Sequence, residues 1–586
     1  LDEGLLLVDS SVATRYTGLN SHGHPKFFGE LWLKIFSTDG KLRDAPCLDA
    51  ITALRFLLLS SKKLELNCKK ESVDEEVRNF FTIENTSRLP TNSWSEDICY
   101  FDQDSIAFGD NLDLSDGQCW LPGLGPTEGP GGCNLEILQR VCDRISTQFG
   151  DLHEERDHEL PKHGPGAVAN QRRGESKFLF REWPAKLDAL FPYDRYATTN
   201  LGQDIDTGGE VEWGLNKESP SRLISVPKTM KSPRLIAAEP NQHQWIQQLV
   251  KNQLEERIVH TSLAPCVRFR SQAQNQQWAI RGSLDGKVAT IDLSSASDRL
   301  SCWTVERAFR KNPTILRRLH ACRTRWISNE VSSQSERYLL LRKLAPQGSA
   351  VTFPVQSIVY AMVSIAAVIS ARRWRVTKAT IDKASRLVSV FGDDMIVPSD
   401  CMGVLVDSLS FLGLKVNVSK SFGTGKFRES CGVDAFRGID ITPPYLRRFS
   451  TKVQMKESSS FVKVVNNYFL KGYWNCSEFL LDKFAFDRNL IPIVAASSSY
   501  PGLASFCGAS VSSLRKRWNK DLQVEECRLV LPTNKTRLLE TKGGHRLFQW
   551  FIEKPPADSQ WESGTRDRPV VTSRPGWTPI RDIMAA

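Results

Sequence analysis

The stretch LVSVFGDDMIVPS, residues 387–399, decides how the chain reads. Two runs rich in β-branched residues, RLVSV and MIVPS, flank Gly-Asp-Asp, and such a pair around a tight turn predicts a β-hairpin. Gly392 supplies the backbone freedom the turn needs. Asp393 and Asp394 then stand at the hairpin tip, away from the apolar strands. Adjacent carboxylates repel, and the array is costly without a cation. Magnesium suits it, because this hard ion takes oxygen ligands and is usually held by one or two carboxylates together with substrate phosphates. Taken alone, an Asp-Asp turn in solvent accounts for the same letters.

A second carboxylate site changes the balance. In DGKVATIDLSSASDRLS, residues 285–301, the run KVATIDL reads as a strand ending in Asp292. Ser294 or Ser295 then caps a helix, and Asp298 lies six residues beyond Asp292. A carboxylate at a strand end, 101 residues before the Asp pair, would, if the fold brought it there, complete a site of the two-metal kind used in phosphoryl transfer. For Asp298 a solvated position at a helix start is the simpler alternative.

Two further elements fit the same chemistry. APQGSAVTFPVQS, residues 345–357, runs from a flexible glycine loop into an apolar helix. It sets Gly348, Thr352 and Gln356 on one helical face or its lead-in. Upstream, VPKTMKSPRLIAAEP, residues 226–240, spaces Lys228, Lys231 and Arg234 three apart. A positive strand or loop facing the carboxylates would hold a triphosphate, whereas a lone basic triplet is most often a solvated face.

Composition allows this reading and narrows the others. The chain has 586 residues, 40% hydrophobic and 25% charged, as in ordinary globular proteins, so length suffices for several domains or one large multi-lobed body. A net charge of +10 favours an anionic partner, nucleic acid being the commonest. The 14 cysteines include no CxxC pair, which argues against a zinc ribbon or a disulfide framework and for reduced cytosolic thiols. The N-terminal LDEGLLLVDS has early acids and only a short apolar run, unlike a secretory signal, and it lacks an initiator Met. The apolar run at 355–370 is shorter than the about 18–20 residues a bilayer span needs, so it reads as a buried core helix and no membrane partner is expected.

Along the chain, residues 48–82 read as helical, a Gly/Pro-rich loop occupies 121–134, and a helix begins near Leu135. Residues 150–222 are polar and turn-rich, 240–260 are helical, and 284–425 alternate strand, helix, helix, strand, strand, helix. The tail from Lys554 to Ala586 has no clear periodicity and reads as extended on the surface or disordered.

In this order the four elements resemble the motifs of right-hand RNA-directed RNA polymerases: basic motif F, then A with Asp292, B with Gly348 and C with Gly-Asp-Asp. The sequence is more similar still to the replicase subunit of the single-stranded RNA bacteriophages, the leviviruses. The residues that carry this are VPKTMKSPRLIAAEP, TIDLSSASDRLS, FGDD, VNVSKSFGTGKFRESCG at 416–432 and the following GIDITPPYLRR. The resemblance runs from about 220 to 450, with HGPGAVA at 163–169 adding to it.

The resemblance implies an α+β right-hand fold of fingers, palm and thumb, with an antiparallel palm sheet carrying the Gly-Asp-Asp hairpin. It implies a partly helical N-terminal region at 1–135, fingers at 136–286, a palm at 287–425 with a finger insertion at 302–344, and motif E, thumb and C-terminal region at 426–586. Asp292 and Asp393 would bind two magnesium ions, with manganese as an alternative, and Asp394 would support them. Lys420 matches the motif D lysine, a general acid for departing pyrophosphate. Asp298 would help recognise the ribose 2′-hydroxyl, and Gly348 and Thr352 would position template and nucleotide. Lys228, Lys231 and Arg234 would neutralise the triphosphate. FRESCG would be motif E, supporting the nascent strand. The implied partners are RNA template and product, ribonucleoside triphosphates, and the host elongation factors Tu and Ts with a small-subunit ribosomal protein, in the cytoplasm of a bacterial host.

Two departures keep alternatives open. APQGS also resembles the LPQG of reverse transcriptases, and Gln356 stands where many RNA polymerases have Asn. Against a reverse transcriptase, Asp298 stands where those enzymes place an aromatic gate, and Gly392 where they have a larger residue. A basic RNA-binding protein without catalysis would explain the charge but not acids at strand ends beside a basic triplet. His153, His158 and His163 recur every five residues, a spacing that does not align on a helix face, so they read as structural rather than metal ligands. Trp245, Trp303 and Trp374 read as core packing rather than base-stacking platforms.

Overall fold

The computed structural model describes residues 25–90, 135–152, 161–164, 166–171, 177–198, 212–215, 218–229, 232–447, 450–535 and 570–584, with short pieces at 94, 108, 538–539, 548, 552 and 565–566. The Gly/Pro-rich stretch at 121–134, His153, His158, Lys231 and part of HGPGAVA lie outside the described residues.

Five strands matter for the site: β1 (Ser221–Pro227), β2 (Pro233–Ala238), β3 (Val288–Ile291), β4 (Ser389–Phe391) and β5 (Asp394–Pro398). The central sheet has the order β3-β5-β4, antiparallel throughout. Its strands are rich in Val and Ile and largely buried, as a sheet covered on both faces requires. Asp394 pairs with Phe391, which leaves Gly392 and Asp393 as a two-residue turn. Gly392 has φ +64°, a value glycine adopts freely at the first position of such a turn.

Of four helices near the site, α2 (Ala273–Asp285) and α3 (Thr352–Ala371) pack on the central sheet, while α1 (Asn241–Arg257) and α4 (Lys378–Ser385) pack on α3. α3 is apolar all round and buried from Val355 to Ile369, the pattern of a core helix. It is long and apolar enough to cross a membrane by composition, but 94% of its most apolar window is buried within this fold. Around it pack α1, α4 and the helices Leu135–Ser146 and Met402–Phe411.

A four-stranded sheet of order β2, β1, Trp326–Ser328, Tyr338–Leu340 forms a second layer. Its apolar face, Leu223, Leu235, Ala237, Ile327 and Leu339, is covered by Val77, Phe80 and Phe81 of the helix Lys70–Thr86. The N-terminal region also covers the hairpin Phe427–Ser430/Val433–Phe436, packing Trp32, Ile35, Ile51 and Leu54 on Phe422, Phe427 and Phe436. Cys431 and Gly432, both at positive φ, turn that hairpin.

One buried ion pair fastens this contact. Arg55 of the helix Leu48–Leu59 binds Asp434, and its Nε donates to the Ile441 carbonyl at 3.3 Å. Replacing Arg55 with Met would leave a buried carboxylate without its cation. The expected loss is roughly 3 kcal/mol of stability, read as a lower denaturation midpoint at unchanged slope.

A polar cluster lies at the start of α1. Lys186 Nζ is 2.9 Å from Glu218, Arg325 Nε is 3.1 Å from it, and His243 Nε2 is 3.7 Å away. Glu218 is held down to about 2: burial pushes it upward, but Lys186, His243 and Arg325 outweigh that. Its neighbour Glu239 is pushed up to about 7 by burial, against hydrogen bonds from Thr324 and Gln247. A folded-state value above the unfolded one gives stability that is full below the unfolded value and lost as pH rises through about 7. Glu239→Gln stays neutral, so its melting temperature relative to the parent is expected to rise between acid and alkaline pH. The differential approaches roughly 3 kcal/mol, measurable by thermal melts across the pH range.

Several expectations need correction. Neither Ser294 nor Ser295 caps a helix with its side chain: Ser295 sits at φ +53° before the short helix Ala296–Arg299 without a side-chain cap bond. The side-chain cap is instead Ser301, whose hydroxyl accepts from Thr304 N–H at the next helix, Cys302–Ala308. The 48–82 helix is two helices, Leu48–Leu59 and Lys70–Thr86. Part of the C-terminal tail is regular: Val570–Pro579 pairs along its length with Val524–Lys535, and Ile580–Met584 is helical. The 284–425 reading missed the pair Trp326–Ser328/Tyr338–Leu340, whose short strands pack against an element far away in sequence.

Candidate active site

β3 and the β4–β5 turn deliver their carboxylates to one edge of the central sheet. Asp292 follows the last residue of β3 and is half-buried. Its Oδ2 accepts from Asn417 Nδ2 at 3.0 Å and lies 3.7 Å from Lys420 Nζ. Its backbone N–H donates to Ser421 Oγ at 3.1 Å, and its carbonyl accepts from Asn417 N–H at 2.9 Å. Burial raises its carboxyl above the ordinary aspartate range; Lys420 opposes this and the charge of Asp393 adds to it. Asp393, at the turn, therefore stands close enough to Asp292 for the two charges to repel.

Asp394 stands just behind the turn, as the first residue of β5, and the antiparallel register of Met395 with Ile291 sets it across from Asp292. Ser430 Oγ donates to its Oδ1 at 3.4 Å, and Asn275 Nδ2 donates to its carbonyl at 3.2 Å. Burial, then Asp393, pushes its carboxyl up to about 7. It lines a cavity of about 540 Å³ with Lys63, Gln272, Cys431, Tyr445 and Arg447. Among the described residues no three carboxylate, imidazole or thiol groups close into a ready-made metal cage. Two mutually repelling hard-oxygen donors at an accessible edge fit an ion that completes its shell with substrate phosphates and water.

Cations face this edge. Burial works against the Lys420 ammonium, but Glu429 and Asp292 outweigh it and hold its pKa above that of ordinary lysine. Lys228, just past β1, is shifted down by burial and by Arg234 and Lys420, while Asp393 and Asp292 pull it up. Arg234 is exposed on β2. The β1–β2 hairpin thus reaches toward the carboxylates.

The glycine loop and α3 hold the turn. Gly392 N–H donates to Ser357 Oγ at 3.1 Å, and a Cβ on Gly392 would meet the Phe353 ring at 3.1 Å and Gln356 Nε2 at 3.6 Å. Gln356 is therefore beside the Asp393 turn. Gly348 has φ +123°, and a Cβ there would fall 1.9 Å from the Ala237 carbonyl of β2. The Ala237 N–H donates to the Gln347 carbonyl at 2.6 Å, so the loop is fastened to the basic hairpin. Thr352 is buried and donates its hydroxyl to the Pro346 carbonyl at 2.8 Å, shaping the loop rather than facing the cleft.

Asp298 is tied from behind. Lys343 Nζ lies 2.9 Å from Asp298 Oδ1 and 3.2 Å from Glu84 Oε2, and 3.5 Å from the Phe80 ring centroid. The sequence reading missed Asn417, Ser421, Lys343 and Glu84. Asn417 and Ser421 flank Lys420 within VNVSKSF, where the lysine alone was read. Lys343 and Glu84 are 259 residues apart and carry no local signal. His163 packs among Phe178, Phe180 and Trp245 with its ring held neutral, pushed down to about 3 by burial. Trp245 and Trp303 are core residues.

Residues 197–475 match the family described as "RNA replicase, beta-chain". The RNA-directed RNA polymerase subunit beta of Qbeta virus (strain MX1) is 26% identical over 363 residues, 60% of this chain and 56% of that protein. The RNA-directed RNA polymerase beta chain of Escherichia phage MS2 is 30% identical over 231 residues, 39% of this chain and 37% of that protein. The chain thus spans little more than half the length of the first of these relatives. A solved RNA-dependent RNA polymerase of a human picobirnavirus overlays 78% of this chain and 88% of its own, at 11% identity and a TM-score of 0.34, too low to transfer individual elements. Every candidate residue from Lys228 to Lys420 falls inside the family match.

Proposed function

We propose that this chain, which matches the RNA replicase beta-chain family over residues 197–475, is an RNA-directed RNA polymerase of the single-stranded RNA phage type. The reaction joins the 3′-hydroxyl oxygen of the growing RNA to the α-phosphorus of a ribonucleoside triphosphate. The bond to pyrophosphate breaks, the hydroxyl proton leaves to solvent, and pyrophosphate departs. The observation that carries this reading is the approach of Asp292 and Asp393, 101 residues apart, at one sheet edge beneath Lys420 and Lys228.

Asp292 and Asp393, supported by Asp394, would hold divalent magnesium, or manganese in its place, as a pair of ions; when bound, these supply a lowered hydroxyl pKa and stabilise the leaving pyrophosphate. The chain's own side chains account for the rest. Asn417 and Ser421 orient Asp292. Lys228, Arg234 and the neighbouring Lys231 neutralise the triphosphate. Lys420, kept protonated by Glu429 and Asp292, gives a proton to the departing pyrophosphate. Asp298, oriented by Lys343, and Gln356 read the ribose. Gly348 and Thr352 fix the loop on which template and nucleotide rest. In this reading β3–β5 belong to the palm of a right-hand polymerase, and the hairpin 427–436 supports the nascent strand. The family resemblance implies elongation factors Tu and Ts and a small-subunit ribosomal protein as partners, in the bacterial cytoplasm.

The test is magnesium-dependent incorporation on an RNA template, with ribonucleotides and deoxyribonucleotides supplied separately, in buffer and in bacterial extract. Ribonucleotide incorporation supports the proposal. A preference for deoxyribonucleotides makes the protein a reverse transcriptase, and RNA binding without incorporation in either medium makes it a binding protein.

A further inference from the structure

From the last residue of α3 onward the chain carries ARRWRVTKATIDKASR, residues 371–386, with six basic residues and one acid. α3 rises from the glycine loop, and its 20 residues span about 30 Å, so this segment begins well away from the loop end of the helix. Local structure turns the charges outward. Val376, Ile381 and Ala384 are buried, while Arg373, Arg375, Lys378, Lys383 and Arg386 are exposed. A capping box at Thr377 and Thr380 fixes the start of α4.

Compensating charge is scarce. Arg372 forms a forked pair with Asp400 at 3.0 and 2.9 Å. Asp382, the one acid in the segment, accepts from Ser262 Oγ at 2.5 Å. Among the described residues, Arg373, Arg375, Lys378 and Arg386 meet no carboxylate. Beside them is a cavity of about 260 Å³ lined by His260, Ser262, Lys378, Asp382, Ser385 and Arg386. Lys378 and Arg386 are separated by about 12 Å along the α4 axis. Lys383 stacks over the ring of half-buried Trp374, 4.5 Å from its centroid.

A row of uncompensated cations beside a polar concavity suits a chain of phosphates. We infer that this face is a second RNA-binding surface, seating backbone phosphates of a single-stranded stretch of template outside the catalytic cleft. RNA is the occupant chosen because the chain's net charge is +10 and the proposed substrate is a polyanion far longer than the cleft. The inference rests on the polymerase reading for the identity of that polyanion.

The experiment is equilibrium binding of a labelled single-stranded RNA across a salt series, for the full chain and for Lys378→Gln/Arg386→Gln. Arg515→Gln/Lys520→Gln, on an exposed strand and turn elsewhere, removes the same charge and serves as control. The α4 variant is expected to bind about tenfold more weakly, with its salt slope reduced by about 1.4, near 0.7 for each lost single-strand phosphate contact. The control is expected to keep the parent slope, and incorporation on a saturating short primer–template is expected to be unchanged in both. Parent-like affinity and slope in the α4 variant overturn the inference, whatever else that face binds. An equal loss in the control also overturns it, because net charge would then suffice. Binding needs no turnover, so failure of the polymerase reading is scored separately by the incorporation assay.

Discussion

Asp393→Asn is expected to reduce RNA-templated ribonucleotide incorporation by on the order of 10³-fold or more, with a melting temperature unchanged or raised. The two effects have one cause. Asp393 repels Asp292 and Asp394, and burial and this repulsion together lift both carboxyls above their ordinary range. Asn has nearly the same shape and fits the same two-residue turn, so the repulsion disappears and only the weaker attraction to exposed Lys228 and half-exposed Lys420 is given up. What is removed is a charge that only a cation would make favourable. Incorporation kinetics and a thermal melt on the same preparation check both halves. Loss of activity together with a lowered melting temperature would assign Asp393 a structural role instead.

Gly348→Ala is expected to be the most damaging small substitution near the site. The added methyl would fall 1.9 Å from the Ala237 carbonyl, a backbone atom that cannot swing aside, at a φ of +123° that side chains rarely adopt. Relief requires the loop to part from β2 and break the Ala237–Gln347 hydrogen bond. The cost is roughly 2–4 kcal/mol, from overpacking and backbone strain together. Because the loop leads into Phe353, Gln356 and Ser357, which touch the Gly392 turn, activity is expected to fall even where the protein remains folded. A denaturation midpoint and incorporation measured well below the melting temperature separate the two losses. Ser349→Ala alters a buried neighbour without the backbone clash and is expected to cost far less.

The parts of the site that could be read from sequence are those written locally. The β4–β5 hairpin is two β-branched runs around a glycine turn, and β3 is a short apolar run ending in Asp292. α3 is long, apolar and bounded by a glycine loop and by arginines. Each carries its own periodicity or turn chemistry. Their arrival at one edge was anticipated only through the order of motifs, because spacing alone does not pair strands 101 residues apart. Asp394 shows a limit of another kind. Read as a tip residue, it is the first residue of a strand and closes the turn opposite Phe391.

What stayed illegible is non-local. Lys343 links Glu84 to Asp298, and Arg55 reaches Asp434, through contacts that no short window contains. The strand Val570–Pro579 is written in residues, two prolines and a glycine among them, that discourage a strand assignment, and it forms because Val524–Lys535 offers it a partner. The serines after Asp292 offered plausible caps, but the turn into the short helix places Ser295 in the left-handed region instead. Propensity lost there to the tertiary requirement that Leu293–Ser294 pair with Lys415–Val416, the segment that brings Asn417 and Lys420 to Asp292.

The central claim is that Asp292 and Asp393 act as one centre, and a double-mutant cycle tests it most directly. Incorporation on an RNA template would be measured for the parent, Asp292→Asn, Asp393→Asn and the double variant under one set of conditions. Groups that act as a unit are non-additive, so the double variant is expected to be no slower than the slower single variant. Losses that multiply, or a single variant that keeps activity near that of the parent, would contradict the account.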